Sequence, residues 1–302
     1  SGFTSGAATS EQPGLKYQLL IHNERAGSIG AAHARAVVRP ETIAILSIFV
    51  AFALAEHFRT SFLYKPRQRR KDVIVEIVGS STLLLLTQPL VLLGGGLLAA
   101  TLAPESRDSL ASSPIYAQIG LLLVFDDMTQ YWWHRISHSV KWLYELHRPH
   151  HDAEYMSIRI VYRNNIFYYF LMPGIWFSGA LIYLGLGTVY AFYLIAKLLV
   201  ICGAHSDVRW DKSLYDIKWL SPVMWVIERT ISTPSTHWAH HGQHKDDGVT
   251  NYKGNFGNML FFWDVLFGTA KITRRYPDSV GVENLEPVSA KHQLLWPLVR
   301  DR

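Results

Sequence analysis

The sequence is poor in the residues that build many redox and metal sites. Of its 302 residues only one, Cys202, is a cysteine, which excludes zinc-ribbon arrangements of paired cysteines. It contains no fingerprint of a flavin, nicotinamide or haem domain, and no phosphate-binding loop, internal repeat or low-complexity tract. Any electrons that this chain uses must therefore come from another protein or from a reduced small cofactor.

Long apolar runs, by contrast, are abundant. Hydrophobic residues make up 49% of the chain, and the mean hydropathy of +0.09 averages very apolar and very polar stretches. We predict membrane-spanning helices at 42–58, 73–103, 115–133, 166–186 and 189–204. The second run is interrupted by Pro89 and three glycines, and we interpret it as one broken helix rather than a hairpin. The first forty or so residues are small and polar, so no cleavable signal peptide is expected.

A dense basic run, KPRQRRK at residues 65–71, follows the first predicted span. Basic loops beside spans stay in the cytoplasm, and counting crossings from this loop brings the histidines described below to the same side. The run would also attract anionic lipid headgroups, which accounts for the net charge of +5 without a nucleic-acid partner. After Ser206 no run is long enough to span, so we expect a helical cytoplasmic cap that leans on the membrane.

Most of the histidines fall into three short clusters. The first cluster is HRISH (His134, His138), the second is HRPHH (His147, His150, His151), and the third is HWAHH (His237, His240, His241), with His205 alone between the last two. Residues three and four apart share a helix face, so each cluster would direct its imidazoles one way. Because Pro149 disfavours a helical Arg148, His147 is expected to close one segment while His150 and His151 open the next.

These clusters predict a centre with two metal ions. Neutral imidazole binds zinc, copper, iron and nickel, whereas the lack of thiolate and oxygen ligands argues against structural zinc, calcium and magnesium. Nine imidazoles are too many for one tetrahedral ion. Asp127 shares a helix face with His134, so its carboxylate is a candidate acceptor for the second N–H of that ligand. The remaining histidines are interpreted as non-ligands: His22, His33, His57, His244 and His292.

Together these segments resemble a known family. The phrase DMTQYWWHRISH from Asp127, then HRPHH, then TPSTHWAHH followed by NYKGNFGNMLFFWDVLFGT, is similar to the fatty acid hydroxylase and sterol desaturase superfamily of membrane di-iron enzymes. The resemblance covers about residues 127–269. It implies nine metal ligands: His134, His138, His147, His150, His151, His205, His237, His240 and His241. It also implies supporting roles for Arg163, in the run EYMSIRIVYRN, and for Asn251 after the third cluster.

The resemblance implies an activity as well. Family members hold two iron ions at the cytoplasmic face and use dioxygen to hydroxylate or desaturate lipids, so the expected substrate is a fatty acyl chain, a sterol or an ether lipid. Zinc is expected to be able to replace iron in purified protein. A reductase, cytochrome, ferredoxin or pterin would supply the electrons. Five aromatic residues are candidates to line an apolar slot for a lipid that enters from the bilayer: Trp132, Trp133, Tyr168, Tyr169 and Trp238.

Two other classes of protein stay open at this stage. Clustered histidines also suit a metal transporter or sensor, although its ligands would lie inside spans near the midplane, and a haem protein needs only two axial histidines. The predicted fold is all-α: an integral membrane bundle of four to five transmembrane helices with a cytoplasmic, histidine-rich helical cap. We divide the chain into a polar N-terminal segment (1–41), a membrane-embedded hydroxylase-like domain (42–269) and a C-terminal tail (270–302).

Overall fold

The structure is a computed structural model that describes Gly2 and residues 40–301. Within this part of the chain every regular element is a helix, which confirms the all-α prediction. The chain divides into two units, residues 1–43 and 44–302, and the description below concerns the second unit and the helix that leads into it. His22, His33 and nearly all of the predicted N-terminal segment lie outside the described residues.

The helices of the described chain follow one another through short connections. They are α1 (Pro40–Arg59), α2 (Arg70–Leu102), α3 (115–137), α4 (Lys141–His151), α5 (Pro173–Leu181), α6 (Gly187–His205), α7 (Trp210–Tyr215), α8 (Ser221–Thr230), α9 (Pro234–His241), α10 (Phe262–Leu266) and α11 (Ala290–Leu295). Both α2 and α3 contain a π-helical segment, Leu83–Thr87 and Leu123–Met128, and a third, Ile182–Leu186, follows α5 directly. Segments of this kind are often found beside functional sites.

Three helical stretches are long and apolar enough to cross a membrane, and they make this chain an integral membrane protein. They are Pro40–Arg59, Arg70–Leu102 and Pro173–His205. The first two correspond to the first two predicted spans, and the third joins the predicted fourth and fifth. The predicted span at 115–133 is helical but falls outside this set, because Asp126, Asp127 and Gln130 lower its hydropathy.

The stretch Pro173–His205 turns back on itself at Gly185, whose φ of 107° lies in the left-handed region that favours glycine. Gly174 on α5 and Lys197 on α6 both contact Asp126 on α3. A straight helix would hold those two residues roughly 35 Å apart. Helices α5 and α6 are therefore antiparallel neighbours, as the two separate apolar runs predict.

Helices α2 and α5 pack backbone against backbone. A Cβ atom at Gly95 would lie 2.2 Å from the carbonyl oxygen of Trp176, and one at Gly179 would lie 2.2 Å from that of Leu92. Such close approach of small residues is typical of helices packed within membranes. We call the end of the bundle that carries the histidine clusters the histidine end. The chain runs away from it along α2, returns along α3, leaves along α5 and returns along α6.

The residues after 269 pack against the histidine end rather than trailing away from it. Val280 pairs with Gly242, directly after the third cluster, and Gln293 on α11 donates to Asp152, directly after the second, at 2.7 Å. Both Val280 and Gln293 are buried. The predicted domain boundary at 269 remains a prediction, but the tail belongs to the packing around the histidines.

Candidate metal centre

The predicted ligands lie at the ends of four helices that meet at one end of the bundle. The first cluster occupies the last turn and C-cap of α3, the second the end of α4, the third the end of α9, and α6 ends at His205. Helix α9 begins at Thr233, whose hydroxyl accepts from the Thr236 N–H, followed by Pro234 at a position that needs no N–H donor. Eight of the nine imidazoles are buried, and His138 is half-buried.

The second cluster lies on one unbroken helix. Helix α4 continues through Arg148 to His151 with Pro149 in its last turn, so the predicted break at this proline is wrong. Near a helix end Pro149 forfeits only the single hydrogen bond that its missing N–H would have made one turn back. The continuous helix keeps His147 and His151, four residues apart, on one face.

The nine imidazoles form two groups, in each of which one nitrogen per ring lies within 4.8 Å of the others. The five-histidine group consists of His134, His138, His147, His151 and His240. The four-histidine group consists of His150, His205, His237 and His241. The groups touch where the rings of His151 and His241 stack with centroids 4.4 Å apart. Two adjacent groups match the predicted two-ion centre, and the ligand role of each residue stays a prediction.

Protein oxygens orient the rings through their Nδ1 atoms. The distances from Nδ1 are 2.7 Å for His134 to Phe256 O, 2.8 Å for His147 to Asn164 Oδ1, 2.9 Å for His150 to Ile160 O, 2.8 Å for His205 to Ile201 O and 2.8 Å for His240 to Gly254 O. Because these oxygens only accept, each Nδ1 carries the proton and donates. The Nε2 atom of each of these rings is then left with a free lone pair, as a metal ligand requires.

The free nitrogens face one another. The Nε2 atoms are 3.0 Å apart between His134 and His240, 3.2 Å apart between His147 and His151, and 2.8 Å apart between His205 and His237. For His134 and His240, whose Nδ1 atoms both carry the proton, the two facing Nε2 lone pairs repel at this distance unless a cation lies between them. Imidazoles that bind an ion at about 2.0–2.1 Å hold their nitrogens about 3 Å from each other.

Among the residues that the structure describes, further buried ring nitrogens without a hydrogen-bond partner include Nε2 of His138 and Nε2 of His241. Buried polar atoms normally find a partner, so this many unpaired acceptors in one place call for an explanation. A metal ion in each group would satisfy them. The residues present therefore fit a pair of metal ions.

Burial also keeps the imidazoles uncharged. Desolvation, followed mainly by the charges of neighbouring rings, lowers the pKa well below the usual 6.5 in the second and third clusters: His147, His150, His151, His237, His240 and His241. The neutral ring is the form that binds metal. Metal binding at neutral pH therefore requires no release of protons from these six residues.

Asp127, Arg163 and Asn251 were predicted to support the ligands, but none of them forms a hydrogen bond to a histidine ring among the described residues. Asp127 accepts from Trp263 Nε1 at 2.8 Å and from Leu260 N at 3.2 Å, while the N–H of His134 that it was expected to bind goes to Phe256. The predicted contact between Asp127 and His134 is wrong, because the carbonyl of Phe256 accepts the His134 N–H and the carboxylate binds Trp263 and Leu260 through Oδ2. Asp127 fixes α10 to α3.

Arg163 and Asn251 bind residues around the clusters rather than the imidazole rings. Arg163 is fully buried and forms an ion pair with Asp72 at 2.7 Å and a longer one with Asp152 at 3.7 Å. Asn251 donates to Asn255 and to the carbonyl of Thr269, and so shapes the loop whose Gly254 oxygen accepts from His240. Both residues therefore influence the rings through an intermediate residue and not by direct contact.

Sequence reasoning missed two residues that support the rings more directly. Asn164, the neighbour of Arg163, accepts from His147 and donates to the Tyr169 hydroxyl at 2.8 Å. Asp264 accepts from the N–H groups of Phe256 and Gly257 and thereby holds the loop whose carbonyl orients His134. The quoted phrases VYRN and FFWD contain both residues, but nothing in their spacing indicates the contacts.

The histidines interpreted as non-ligands lie apart from both groups where the structure describes them. His244 pairs with Glu283 at 3.2 Å on the surface, with 51% of its side chain exposed. His292 lies on α11, where its Nδ1 accepts from Asp301 N, and His57 is exposed near the end of α1. None of the three belongs to the two groups.

Two cavities reach the histidines, one from the spans and one from the cap. The first, which we call the chamber, measures about 40 Å³ and is bordered by His134, His147, His150 and His205 together with residues of the spans and of 161–172. The second, which we call the cleft, measures about 320 Å³ and is bordered by His138, His151 and polar residues such as Gln243 and Lys253.

Two of the five predicted slot aromatics, Tyr168 and Tyr169, line the chamber. Tyr168 also stacks on the ring of His147 with centroids 4.8 Å apart. Trp133 packs behind Tyr168, whereas Trp132 is partly exposed and Trp238 packs against Tyr276 in the cap. The chamber is therefore smaller and more tyrosine-rich than the predicted slot.

Comparison with known proteins agrees with this geometry. Residues 119–269, half of the chain, match the model of the fatty acid hydroxylase family. The chain therefore belongs to the fatty acid hydroxylase family, which confirms the resemblance drawn from the histidine clusters. No solved structure is significantly similar to the chain.

Among curated proteins, the chain is similar to alkylglycerol monooxygenases. The one from Homo sapiens is 26% identical over 175 residues, which are 57% of this chain and 35% of the relative. The one from Danio rerio is 31% identical over 144 residues, 47% of this chain and 28% of the relative. The one from Xenopus tropicalis is 28% identical over 144 residues, which are 47% of this chain and 28% of the relative. The matched region spans about a third of the length of these relatives.

Proposed function

We propose that this chain is a membrane-bound di-iron oxidoreductase of the monooxygenase type that uses dioxygen to hydroxylate a lipid. The observation that carries the proposal is the pair of adjacent histidine groups with converging free nitrogens at the C-terminal ends of α3 and α6. Desaturation of the lipid is the alternative outcome of the same chemistry. The similarity to alkylglycerol monooxygenases favours an ether lipid over an acyl chain or a sterol.

The five-histidine group would hold one iron ion and the four-histidine group the other, and zinc would fit the same nitrogens. Iron ions bound there would supply the redox chemistry that couples reduction of dioxygen to oxidation of a C–H bond. In the balanced reaction one oxygen atom enters the C–H bond and the other leaves as water, which requires two electrons and two protons from outside. The protein residues orient the ions, admit the lipid and exclude water.

The chamber is the proposed place where the lipid presents its C–H bond. It borders histidines of both groups, and its other walls include the apolar side chains of Val161, Met172 and Ile201. A lipid from the bilayer would reach it without passing through water. The stacked ring of Tyr168 would restrict the chamber so that one short segment of the chain fits at a time.

The cleft on the cap side is the proposed approach for the electron donor. It leads to His138 and His151, both in the five-histidine group, and most of its other walls belong to residues that follow the last span, such as Gln243 and Lys253. A donor there would not compete with the lipid. Either a protein such as a reductase, cytochrome or ferredoxin or a reduced pterin would serve, and no nucleic acid is needed.

The histidine centre is proposed to face the cytoplasm. Lys71, in the basic run, binds Asp152 at 3.1 Å, immediately after the second cluster, so the basic run and the centre lie at the same end of the bundle. Arg69 also binds Asp152 and Lys65 is buried against Glu56, so only part of the run is free for lipid headgroups. Basic residues beside spans are retained in the cytoplasm.

The activity is tested with purified protein in nanodiscs, loaded with ferrous iron and supplied with dioxygen, a reduced pterin or a reductase, and a 1-O-alkylglycerol. Mass spectrometry should show the gain of one oxygen atom, with label from isotopic dioxygen, and elemental analysis should show two metal ions per chain. His151→Ala should lose both signals. Two bound ions with no lipid oxidation in host lipid extract would favour a transporter or sensor instead.

The orientation is tested by cysteine labelling in a Cys202→Ser background, which removes the buried native thiol. Cysteines introduced at Gln68 and Ser139 should react with an impermeant reagent from the same side of sealed vesicles. Labelling of these two positions from opposite sides would refute the proposed topology.

A further inference from the structure

We propose that Gln130 binds an oxygen atom of the substrate close to the carbon that is oxidised, and so selects lipids that carry a hydroxyl group near that carbon. This inference rests on the proposed function, which it deepens by assigning a specificity-determining residue. Gln130 lies on α3, one helical turn before His134 on the side of the spans. Its side chain borders the chamber together with His134, His147, His150 and His205.

The amide of Gln130 is buried and incompletely paired. Only 9% of the residue is exposed, and its Oε1 atom has no hydrogen-bond partner among the residues that the structure describes. A buried acceptor without a donor is unfavourable, and a hydrocarbon side chain of the same shape would avoid that loss. An amide that is kept here, next to the histidine groups, is placed to receive a donor from a ligand.

The other amide beside His147 is already in use. Asn164 accepts from His147 and donates to Tyr169, so both ends of its amide have partners. Asn258 also borders the chamber but is only half-buried. Val161, Met172 and Ile201 supply the apolar surface of the same chamber. Gln130 is thus a deeply buried polar group available to a substrate whose chain lies against the apolar walls of the chamber.

The chemistry of the amide defines the substrate class. Oε1 accepts from a hydroxyl group, and the –NH₂ of the same side chain can donate to an ether oxygen. A chamber of about 40 Å³ admits only a few atoms, so the oxygen that binds Gln130 must lie within a few bonds of the carbon near the histidines. A 1-O-alkylglycerol meets this requirement through its ether oxygen and its C2 hydroxyl, whereas the middle of a plain acyl chain does not.

The test compares two lipids in two proteins. The lipids are a 1-O-alkylglycerol and its analogue in which hydrogen replaces the C2 hydroxyl, and the proteins are the wild type and Gln130→Met, which preserves length but removes the hydrogen bonds. We expect wild type to prefer the hydroxyl lipid by about tenfold or more in kcat/KM, as for one buried hydrogen bond. Gln130→Met should show a ratio near one while it keeps its metal content.

Gln118→Met is the matched control, since Gln118 lies on the same helix and donates to Ala111 O and Ser113 O, away from the chamber. It should leave the ratio between the two lipids unchanged. Should Gln130→Met fail to fold, Gln130→Asn provides a shortened amide that no longer reaches the chamber. An unchanged preference in the Gln130 variant, with metal retained, would overturn the inference.

A binding measurement separates this inference from the proposed function. The affinities of both lipids for metal-loaded protein are measured by thermal shift without dioxygen. If wild type oxidises neither lipid but binds the hydroxyl lipid more tightly in a Gln130-dependent way, the proposed reaction fails and the Gln130 site stands. Equal affinities for the two lipids in wild type would refute the site whatever the activity.

Discussion

Replacing Asn164 by leucine should weaken metal binding without touching a ligand. Asn164 is buried, its Oδ1 accepts from His147 Nδ1 at 2.8 Å, and its Nδ2 donates to the Tyr169 hydroxyl at 2.8 Å. Leucine has a similar size but no acceptor. The N–H of His147 would lose its partner, and the ring would be free to rotate or to adopt the tautomer that protonates Nε2.

The expected loss of metal affinity follows from the role of residues that hydrogen-bond to a metal-binding histidine. Loss of a hydrogen bond that orients a metal-binding histidine typically lowers metal affinity 10- to 100-fold, or about 1.4 to 2.8 kcal/mol. The Tyr169 hydroxyl loses a donor at the same time, so folding stability should fall by about 1–3 kcal/mol as well. Asn164→Asp keeps an acceptor for His147 and should restore most of the metal affinity.

The assay is competition between the protein and a chelator of known affinity for zinc, followed by melting temperature without metal. Asn165→Leu is the control, because Asn165 is equally buried but bonds only to the backbone of Gln293, Trp296 and Phe167. That change should lower the melting temperature and leave the metal affinity unaltered. Equal losses of metal affinity in the two leucine variants would show that general destabilisation, not the orientation of His147, controls binding.

Three further outcomes are expected. His151→Ala should remove a ligand from the five-histidine group and abolish turnover, whereas His292→Ala should do nearly nothing; similar results for both would exclude the groups as the site. Metal-free protein should lose stability as pH falls below about 6.5, because the histidines of the unfolded chain then bind protons. In the folded protein the buried imidazoles of the second and third clusters stay neutral, since burial lowers their pKa. A melting temperature that stays constant down to pH 5 would contradict this. Gly179→Ala should cost about 1–3 kcal/mol, since its Cβ would strike the Leu92 carbonyl, while Gly120→Ala meets nothing within 4 Å and should be harmless; equal melting temperatures would disprove the close packing.

The local sequence was sufficient to predict the helices and the candidate ligands. Apolar runs need helical hydrogen bonding inside a membrane, and histidines three and four residues apart on a helix must share a face, so neither conclusion requires knowledge of distant contacts. The same reasoning predicts α5 and α6 as separate helices, since Gly187 separates the two apolar runs. The error at Pro149 has a local cause too: a proline in the last turn of a helix sacrifices little.

Tertiary structure decided how the ligands are divided and what holds them. His150 lies between His147 and His151 in the helical turn of α4, yet it joins His205, His237 and His241 because α6 and α9 approach that side of the helix. The oxygens that orient the rings come from Phe256, Gly254, Ile160 and Asn164, and Asp127 binds Trp263 instead of His134. Such pairings depend on which remote loop lies next to a polar atom in the folded protein. Helical periodicity relates only residues a few positions apart, so it carries no information about these pairings.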